Sequence, residues 1–416
     1  MRLTVKLLAG ACLALSSLSW AQEENAAGVF SLIVDDGSVF ASRTESHCGD
    51  LKQVNPTLFG PTRNQGTLGV CYAYATTDLL NYCIEHTKCT SSHSCPFVTD
   101  PKSVPQLSSF DFAIQNAKPQ WNGQSLDDFI TALNQGGDAY LAMKRLGESV
   151  KKPCLDKNFP SDRGSFERLT GKDDSDFFPS YGGPWIPDPK NPGKLTKALQ
   201  TQDQQDMGTT YLIKKFERLQ NEYDHTGTLA CADSKSDTGC FHQLGTFKKE
   251  VFGDQEFMAI LQKEKASPAK LVIALDDIMC TEQNRVSLSG CAVHSTYLIP
   301  KNSSNIGHQA LPELDAQLAA GSPVEIGVGS SFLNSAQQTG GGNHAMIVIG
   351  RHWRPAIAAG EVSGCYYQIR NSWGHQCGSY SSSSFVKDCD PATGYFWISE
   401  ETLSKNLLTL DYFPNH

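Results

Sequence analysis

The chain has 416 residues, of which 39% are hydrophobic and 19% charged, and its formal net charge is −9 at pH 7. This composition is that of a globular protein with enough apolar residues for a core, and the length allows one large domain or two to three smaller ones. The acidic balance and the lack of a basic stretch interleaved with aromatic residues argue against nucleic-acid binding.

The first 21 residues have the features of a secretory signal peptide. Arg2 and Lys6 form a basic start, residues 7–18 form an apolar run, and Ala21 ends a short stretch suited to cleavage. We therefore expect a secreted or periplasmic protein whose mature chain begins near Gln22. After the signal, no segment is apolar for long enough to predict a transmembrane helix.

A polar, glycine-containing loop at residues 61–70 leads into a helix-forming run that begins at Cys71 and continues to Ile84. A thiol in the first turn of a helix faces the positive end of the helix dipole, which favours the thiolate and lowers the pKa of the cysteine. The side chain of Gln65 offers an amide donor shortly before the thiol. This stretch predicts a nucleophile with part of an oxyanion hole, and a buried structural cysteine is an equally weighted alternative.

The number of cysteines is compatible with Cys71 as a free nucleophile. Of 14 cysteines, Cys12 belongs to the predicted signal, and twelve remain if Cys71 is a free nucleophile. An even number of cysteines in a secreted chain predicts up to six disulfides. No two cysteines have the CxxC spacing of common zinc sites, so we predict neither a metal nor a cofactor.

Three further helices are predicted before residue 160, at Gln106–Ile114, Leu126–Asn134 and Asp138–Leu146. The first of them has Ser108 as its predicted N-cap. The pair Gly136 and Gly137 lies between the other two. It permits close approach by another backbone, or it separates the end of one helix from the start of the next.

Residues 161–290 carry no motif to which chemistry can be assigned. They begin with a turn-rich stretch and continue with helical patterns, of which Thr210–Tyr223 and Asp254–Lys265 are the clearest. Residues 291–416 instead show alternating and buried strand patterns around one helix at Leu311–Ala319, which predicts a mostly antiparallel β domain. The strands predicted there are Val293–Ile299, Pro323–Val328, His344–Gly350, Cys365–Asn371 and Gly394–Ile398. One more strand is predicted at Val29–Val34, in the short N-terminal segment 22–44.

A cysteine nucleophile needs a base and a third group that orients the base. His344 lies between a glycine-rich loop and an apolar strand, which would present its ring at the start of that strand. Asn371 ends the next strong strand, where its side chain could accept a hydrogen bond from the imidazole, and Trp373 could shield that bond from water. The alternatives are a strand-end histidine with its own partner and an ordinary Asn-Ser-Trp-Gly turn.

Together these segments resemble the papain-like cysteine protease family. Six motifs follow one another in the order of that family, over roughly residues 45–160 and 292–405. The motifs are Asn64-Gln65-Gly66 with Gly69-Val70-Cys71-Tyr72-Ala73-Tyr74-Ala75, Leu107-Ser108-Ser109-Phe110-Asp111-Phe112, Gly136-Gly137 followed by Phe159-Pro160, Gly321-Ser322-Pro323-Val324, Asn343-His344-Ala345 and Arg370-Asn371-Ser372-Trp373-Gly374.

The resemblance implies an α+β fold of two domains with a helical half at 45–160, an antiparallel β-barrel half at 291–416 and a mostly helical module inserted at 161–290. It also implies protein or peptide substrates, and it admits a proteinaceous inhibitor as a partner. The catalytic roles that it implies are Cys71 as nucleophile, His344 as general acid and base, Asn371 as the group that orients His344, and Gln65 in the oxyanion hole. The substrate-binding roles that it implies are those of Gly136 and Gly137 along the peptide backbone, Asn343 near the scissile bond and Trp373 over the Asn371–His344 pair.

This chain departs from the family pattern at several points. Leu68 replaces the usual cysteine before the nucleophile, and Tyr72 replaces the usual tryptophan after it. His344 follows Cys71 by 273 residues, whereas about 130–150 is typical. An insertion at 161–290 accounts for the excess, and we hypothesise that it restricts access to the cleft.

The sequence therefore predicts a secreted cysteine protease, active at mildly acidic to neutral pH if a thiolate–imidazolium pair is its resting form. Two alternatives come from other classes of function. One is a non-catalytic binding or adhesion protein on the same scaffold. The other is an acyl transferase or exopeptidase that uses the same triad, with the insertion blocking one end of the cleft.

Overall fold

Helices pack against a mostly antiparallel sheet in the computed structural model of the protein. The α+β fold class predicted from the sequence is confirmed. The structure describes residues 30–34, 48, 52–65, 70–92, 104–118, 132, 139–148, 152–159, 161, 185–187, 195–197, 273, 276–277, 279–288, 290–299, 306–333, 343–356, 363–375, 377–380, 383 and 385–414. Within these ranges no helix is long and apolar enough to cross a membrane.

The first helix, α1 (Cys71–Ser92), lies between the other helices of its half and the sheet. It begins at the predicted residue and continues eight residues beyond the predicted end at Ile84. Its first three turns are buried on all sides, as expected for a helix that contacts both layers. The buried amide of Asn81 accepts from the Leu107 backbone N–H at 3.0 Å, which fixes the loop before the next helix to α1.

Two further helices complete the described part of the helical half, α2 (Ser109–Ala117) and α3 (Ala139–Glu148). The predicted cap is confirmed, because the Ser108 hydroxyl accepts from the backbone N–H of Asp111 at 3.0 Å. Both helices lie where the sequence predicts them. The predicted helices at Leu126–Asn134, Thr210–Tyr223 and Asp254–Lys265 lie outside the described residues, apart from Ala132.

The described strands are β1 (Phe30–Val34), β2 (Lys52–Gln53), β3 (Trp185–Pro187), β4 (Leu195–Lys197), β5 (His294–Ile299), β6 (Val324–Gly329), β7 (Asn343–Arg354), β8 (Gly364–Arg370), β9 (Phe396–Ser399) and β10 (Leu407–Tyr412). Eight of them form one sheet in the order β1–β5–β10–β6–β7–β8–β9, with β2 paired to β7. All neighbouring strands of this sheet are antiparallel except β1 and β5. The two short strands β3 and β4 form a separate pair within the predicted insertion.

The last two elements of the chain, α5 (Glu400–Asn406) and β10, were not predicted from the sequence. Helix α4 (Ile306–Ala319) was predicted, with a later start. Strand β10 occupies the middle of the sheet, between β5 and β6, and both of its neighbours come from distant parts of the chain. No pairing among the described residues joins β1 to β9, so closure of the sheet into a barrel stays a prediction.

Four disulfides connect the described segments, and three of them join residues more than 100 positions apart. Cys71 is the free cysteine of the described part of the chain, as the sequence predicted. The bonds are Cys48–Cys365, Cys83–Cys291, Cys154–Cys280 and Cys377–Cys389. Cys95, Cys231 and Cys240 lie outside the described residues, and the side chain of Cys89 in α1 is not described either.

A buried carboxylate joins the two halves of the fold. Asp78 of α1 accepts from Arg63 Nη2 through Oδ1 and from Arg370 Nε through Oδ2, each at 2.7 Å. Arg63 Nη1 also donates to Leu107 O at 2.7 Å, and Arg370 Nη1 donates to the Tyr395 hydroxyl at 2.8 Å. Burial lowers the pKa of Arg370, but the nearby Asp78 and Tyr395 more than offset burial, so the pKa is raised overall.

Removing this carboxylate is expected to destabilise the protein strongly. In an Asp78→Ala variant both guanidinium groups stay buried without their anion, and we expect a loss of about 3–5 kcal/mol in the free energy of unfolding. Urea unfolding at pH 7 measures it. The control is Glu401→Ala, which removes an exposed carboxylate from an i,i+4 pair with Lys405 and should cost about 0.5 kcal/mol or less. Equal losses in the two variants would contradict the argument.

The described C-terminal end of the predicted insertion contacts the segment of the helical half that precedes the insertion. Cys154 is bonded to Cys280, and the backbone N–H of Leu155 donates to Asn284 O at 3.0 Å. Arg285 extends this connection, since its Nη1 donates to Asp111 Oδ1 of α2 at 3.0 Å. We propose that these contacts form the neck of the inserted module, so that the chain leaves and re-enters the helical half at neighbouring points.

A deletion between these points is therefore expected to leave the rest of the fold intact. Ser161 and Asp276 both contact α2, at Phe110 and Gln115 respectively, so their separation is short. A Gly/Ser linker of about six residues in place of residues 162–275 can span it. Disulfide mapping should recover Cys154–Cys280, and thermal unfolding should stay cooperative. Loss of either property would place residues 162–275 within the cooperative core.

Candidate active site

Cys71, the first residue of α1, has a buried thiol that faces the start of β7. Burial raises the pKa of this thiol, and contacts with the backbone of Ala345, Tyr72 and Cys71 itself lower it. The helix start therefore does lower the pKa of Cys71, as the sequence suggested, but burial raises it by more. The expected low pKa of Cys71 is wrong for this buried thiol, because a thiolate here loses more hydration free energy than the helix start returns.

His344 is the second residue of β7, next to the Ala345 backbone that contacts the thiol. Its Nε2 lies 2.8 Å from Oδ1 of Asn371, the residue that follows β8. Burial lowers the pKa of His344 to about 4, although the hydrogen bond to Asn371 raises it. At neutral pH the imidazole is therefore neutral, and with the raised thiol pKa the resting pair is thiol and imidazole rather than the expected ion pair.

The hydrogen bonds of Asn371 determine which nitrogen of His344 carries the proton. Asn371 Oδ1 also accepts from the Ser372 backbone N–H at 2.8 Å, and Asn371 Nδ2 donates to the Tyr380 hydroxyl at 2.5 Å. The amide oxygen therefore faces the imidazole, and Nε2 of His344 must donate to it. This tautomer leaves Nδ1 as the proton acceptor.

Aromatic rings cover the His344–Asn371 pair. The ring centroid of Trp373 lies 5.0 Å from that of His344 and 5.5 Å from that of Tyr380, on which it stacks. Tyr380 in turn contacts Phe396 of β9, with centroids 4.6 Å apart. The rings exclude water from a hydrogen bond that is stronger in an apolar environment.

Gln65 is attached to the segment that follows Asn371. Its backbone N–H donates to Ser372 O at 2.8 Å, and its side-chain Oε1 accepts from the Ser372 hydroxyl at 2.5 Å. An isolated bridge between Asn64 and Trp373 extends this pairing. Because Ser372 binds the oxygen end, the amide group of Gln65 presents Nε2 as its donor end. Residues 66–69, between Gln65 and the nucleophile helix, lie outside the described residues.

The predicted substrate-binding residues are described only in part. Asn343 is exposed at the first position of β7, where it pairs with Gly329 of β6, and Trp373 is half-buried. Gly136 and Gly137 lie outside the described residues.

Sequence reasoning missed three groups that build this site. Ser372 binds both the backbone and the side chain of Gln65, and the Tyr380 hydroxyl accepts from the Asn371 amide. Asp78 binds Arg370, the last residue of the strand that precedes Asn371. The Asn-Ser-Trp-Gly motif contains Ser372, and a cysteine-closed loop surrounds Tyr380, but neither pattern specifies a partner. Asp78 carried no signal in the sequence, because an acid in a helix is ordinarily exposed.

One cluster of possible metal ligands occurs among the described residues, formed by Asp111, Asp276 and Cys280. Cys280 is bonded to Cys154 and offers no thiolate. Arg285 Nη1 lies 3.0 Å from Asp111 Oδ1, so a cation already occupies the position that a metal would need. The cluster is therefore an ion-paired part of the neck.

Comparison with known proteins finds similarity in structure only. No family model matches the chain, and no curated protein matches its sequence. Among solved structures, xylellain, a cysteine protease from Xylella fastidiosa, is 13% identical over 94% of this chain and 97% of its own, with a TM-score of 0.38. PepW from Lactobacillus rhamnosis HN001 is 10% identical over 87% and 81% of the two chains, with a TM-score of 0.37.

The cysteine protease and lectin-like domains of Cwp84, a surface layer associated protein of Clostridium difficile, are also similar. They are 14% identical over 96% of this chain and 58% of the other, with a TM-score of 0.36. Xylellain and Cwp84 are thus described as cysteine proteases, the class that the sequence motifs resemble. These identities and TM-scores are low, so the geometry of the site carries the functional argument.

The lowered pKa of His344 predicts that acid destabilises the protein. The unfolded chain binds a proton at this residue near pH 6.5 and the folded chain only near pH 4, so acid favours the unfolded state. Because of this residue alone, the free energy of unfolding should be about 3 kcal/mol lower at pH 4 than above pH 6.5. Urea unfolding of wild type and of His344→Gln over this range isolates the effect. Parallel pH curves for the two proteins would exclude it.

Proposed function

We propose that this chain is a secreted cysteine protease that hydrolyses peptide bonds through Cys71, His344 and Asn371, with Gln65 in the oxyanion hole. One observation carries the proposal. The buried imidazole of His344 is oriented by Asn371 at 2.8 Å, and the next residue along the strand contacts the free thiol at the start of a helix. A nucleophile, a base and an orienting group are the minimal set for acyl transfer by a thiol.

The proposed reaction begins from the neutral pair. Nδ1 of His344 accepts the thiol proton as the sulfur of Cys71 attacks the scissile carbonyl, and Asn371 Oδ1 stabilises the resulting imidazolium. The backbone N–H of Cys71 and Nε2 of Gln65 stabilise the oxyanion. The imidazolium then protonates the leaving amine, and the neutral imidazole activates water to release the acyl group from the sulfur.

The disulfides support a location outside the reducing cytosol. Four of them connect described segments, and such bonds persist in secreted and periplasmic proteins. This agrees with the predicted signal peptide at residues 1–21, which lies outside the described residues.

An epoxide inhibitor of thiol proteases tests the proposed nucleophile. We expect mass spectrometry to find the label on Cys71 in wild type. His344→Ala should slow labelling about 100-fold or more, because the thiol then lacks its proton acceptor. In wild type the labelling rate should fall only as the pH drops towards about 4, where His344 becomes protonated.

The control for this experiment is His375→Ala. His375 is exposed and its Nδ1 lies 2.7 Å from Ala392 O, so its loss should leave labelling unchanged. Absence of labelling in correctly folded wild type would reject the protease and favour a non-catalytic binding protein. Labelling without cleavage of a peptide library would favour another acyl transfer.

A further inference from the structure

We propose that the Cys377–Cys389 disulfide is a redox-sensitive bond whose reduction lets water reach His344. A dithiol reductant would open this bond while the rest of the fold stays intact. The inference deepens the proposed function, because it names a regulation of the same site.

Exposure distinguishes this disulfide from the other three that the structure describes. Cys377 and Cys389 are both half-buried, so part of each residue faces solvent. No cysteine of the other three bonds is more than 4% exposed. In thiol–disulfide exchange a thiolate must contact a disulfide sulfur, so the exposed bond is reduced first.

The length of the closed loop also distinguishes it. The cysteines of this bond are 12 residues apart, whereas those of the other three are 126 to 317 apart. The constraint that a disulfide places on the unfolded chain grows with the length of the loop it closes. Opening this bond therefore loosens residues 377–389, while the long-range disulfides still connect the two halves of the fold.

The segment that this bond closes covers the site. Tyr380, three residues after Cys377, stacks on Trp373 with the ring centroids 5.5 Å apart, and the centroid of Trp373 lies 5.0 Å from that of His344. Tyr380 is buried and also contacts Phe396. These rings keep water from the imidazole.

The start of this cover is the part that the disulfide constrains. Residues 377–380 form a single 3-10 turn, which is too short to be stable by itself. The Cys389 side has contacts of its own, since Lys387 and Trp397 exchange two backbone hydrogen bonds at 2.9 Å. Opening the bond removes the constraint at Cys377, and states in which the turn leaves the indole of Trp373 become more populated.

The reduction is a thiol–disulfide exchange. A thiolate of the dithiol attacks one sulfur, the S–S bond breaks, and the other cysteine leaves as a thiolate. The second thiol of the reductant then displaces the first cysteine and closes the reductant's own disulfide. Two electrons pass to the protein, and both cysteines take up a proton. Cys71 is a free thiol before and after the exchange.

Water beside the imidazole would reverse the cause of its low pKa. Burial lowers the pKa of His344 to about 4, the hydrogen bond with Asn371 raises it, and no charged side chain of the described residues contributes. The titratable groups described around it are Cys71 and Tyr380, and both are neutral because burial raises their pKa. Hydration therefore moves the pKa of His344 up towards its ordinary value of 6.5. The disulfide thus extends the acid limit of the proposed base.

Stepwise reduction of folded wild type tests the selectivity. The protein is incubated with increasing concentrations of dithiothreitol, alkylated with iodoacetamide and digested for mass spectrometry. We expect Cys377 and Cys389 to be alkylated at a concentration about tenfold or more below that needed for the three buried disulfides. Earlier reduction of any of those three would overturn the inference.

A Cys377→Ser/Cys389→Ser variant tests the effect on the site. Hydrogen exchange of the amides at residues 377–380 should be about 100-fold faster than in wild type, the factor expected from a lost constraint on a loop of this length. An NMR titration, with His344 assigned from the His344→Gln spectrum, should give His344 a higher pKa than in wild type. Selectively reduced wild type should give the same two results, so the test does not depend on the variant folding.

The matched control is Cys154→Ser/Cys280→Ser, which removes a buried disulfide from the neck. It should leave the exchange of residues 377–380 and the pKa of His344 unchanged, and oxidised wild type is the reference if it does not fold. Unchanged exchange or an unchanged pKa of His344 in the opened protein would overturn the inference.

Neither readout requires an active enzyme. If the epoxide does not label Cys71 in wild type, the protease proposal fails, and the order of reduction, the exchange and the titration still decide the role of the disulfide. If Cys71 is labelled, the pH below which labelling slows should be higher in Cys377→Ser/Cys389→Ser than in wild type, and equal pH limits would overturn the inference.

Discussion

The site depends on one buried ion cluster, in which the Asp78 carboxylate lies between two guanidinium groups. Arg63 precedes Gln65 by two residues, and Arg370 immediately precedes Asn371, while Asp78 lies on the helix that begins with the free thiol. An exposed ion pair would hold these segments weakly, but a buried one cannot lose a partner without leaving an unpaired charge in the interior. The oxyanion donor, the orienting amide and the nucleophile helix are therefore kept in register by a group that touches none of the proposed chemistry.

Burial also determines the charge state of the proposed catalytic pair. The helix start favours a thiolate at Cys71, and Asn371 favours an imidazolium at His344, but removal from water opposes both charges and prevails. The pair rests in its neutral form, so charge develops only when the proton moves during attack. A neutral pair needs the correct imidazole tautomer before the reaction starts. This requirement gives the hydrogen bond from the Ser372 backbone N–H to Asn371 Oδ1 its importance.

Local patterns were sufficient for most of the described elements. The free thiol at a helix start, the Ser108 cap, and the strands that carry His344 and Asn371 all follow from spacing, capping and hydrophobic periodicity. Strand β10 could not be predicted in the same way. Its residues form a strand because they pair with β5 and β6, which are distant in sequence. Pairing with distant strands leaves no pattern in the local sequence. Tyr380 was missed for a similar reason, since a tyrosine in a cysteine-closed loop is ordinarily a surface or packing residue.

The sequence by itself determined the residue types of the proposed site and their order along the chain, because each lies in a segment whose local conformation its neighbours dictate. The sequence also predicted Cys71 as the free cysteine, but from its position at the predicted start of a helix and not from the cysteine count alone. Only the tertiary structure decided the net pKa direction of that thiol and of His344, because desolvation depends on everything that packs around a group. The tertiary structure alone also decided the partners of Asp78 and Tyr380. A hydrogen bond between residues of different elements exists only once packing has brought them together.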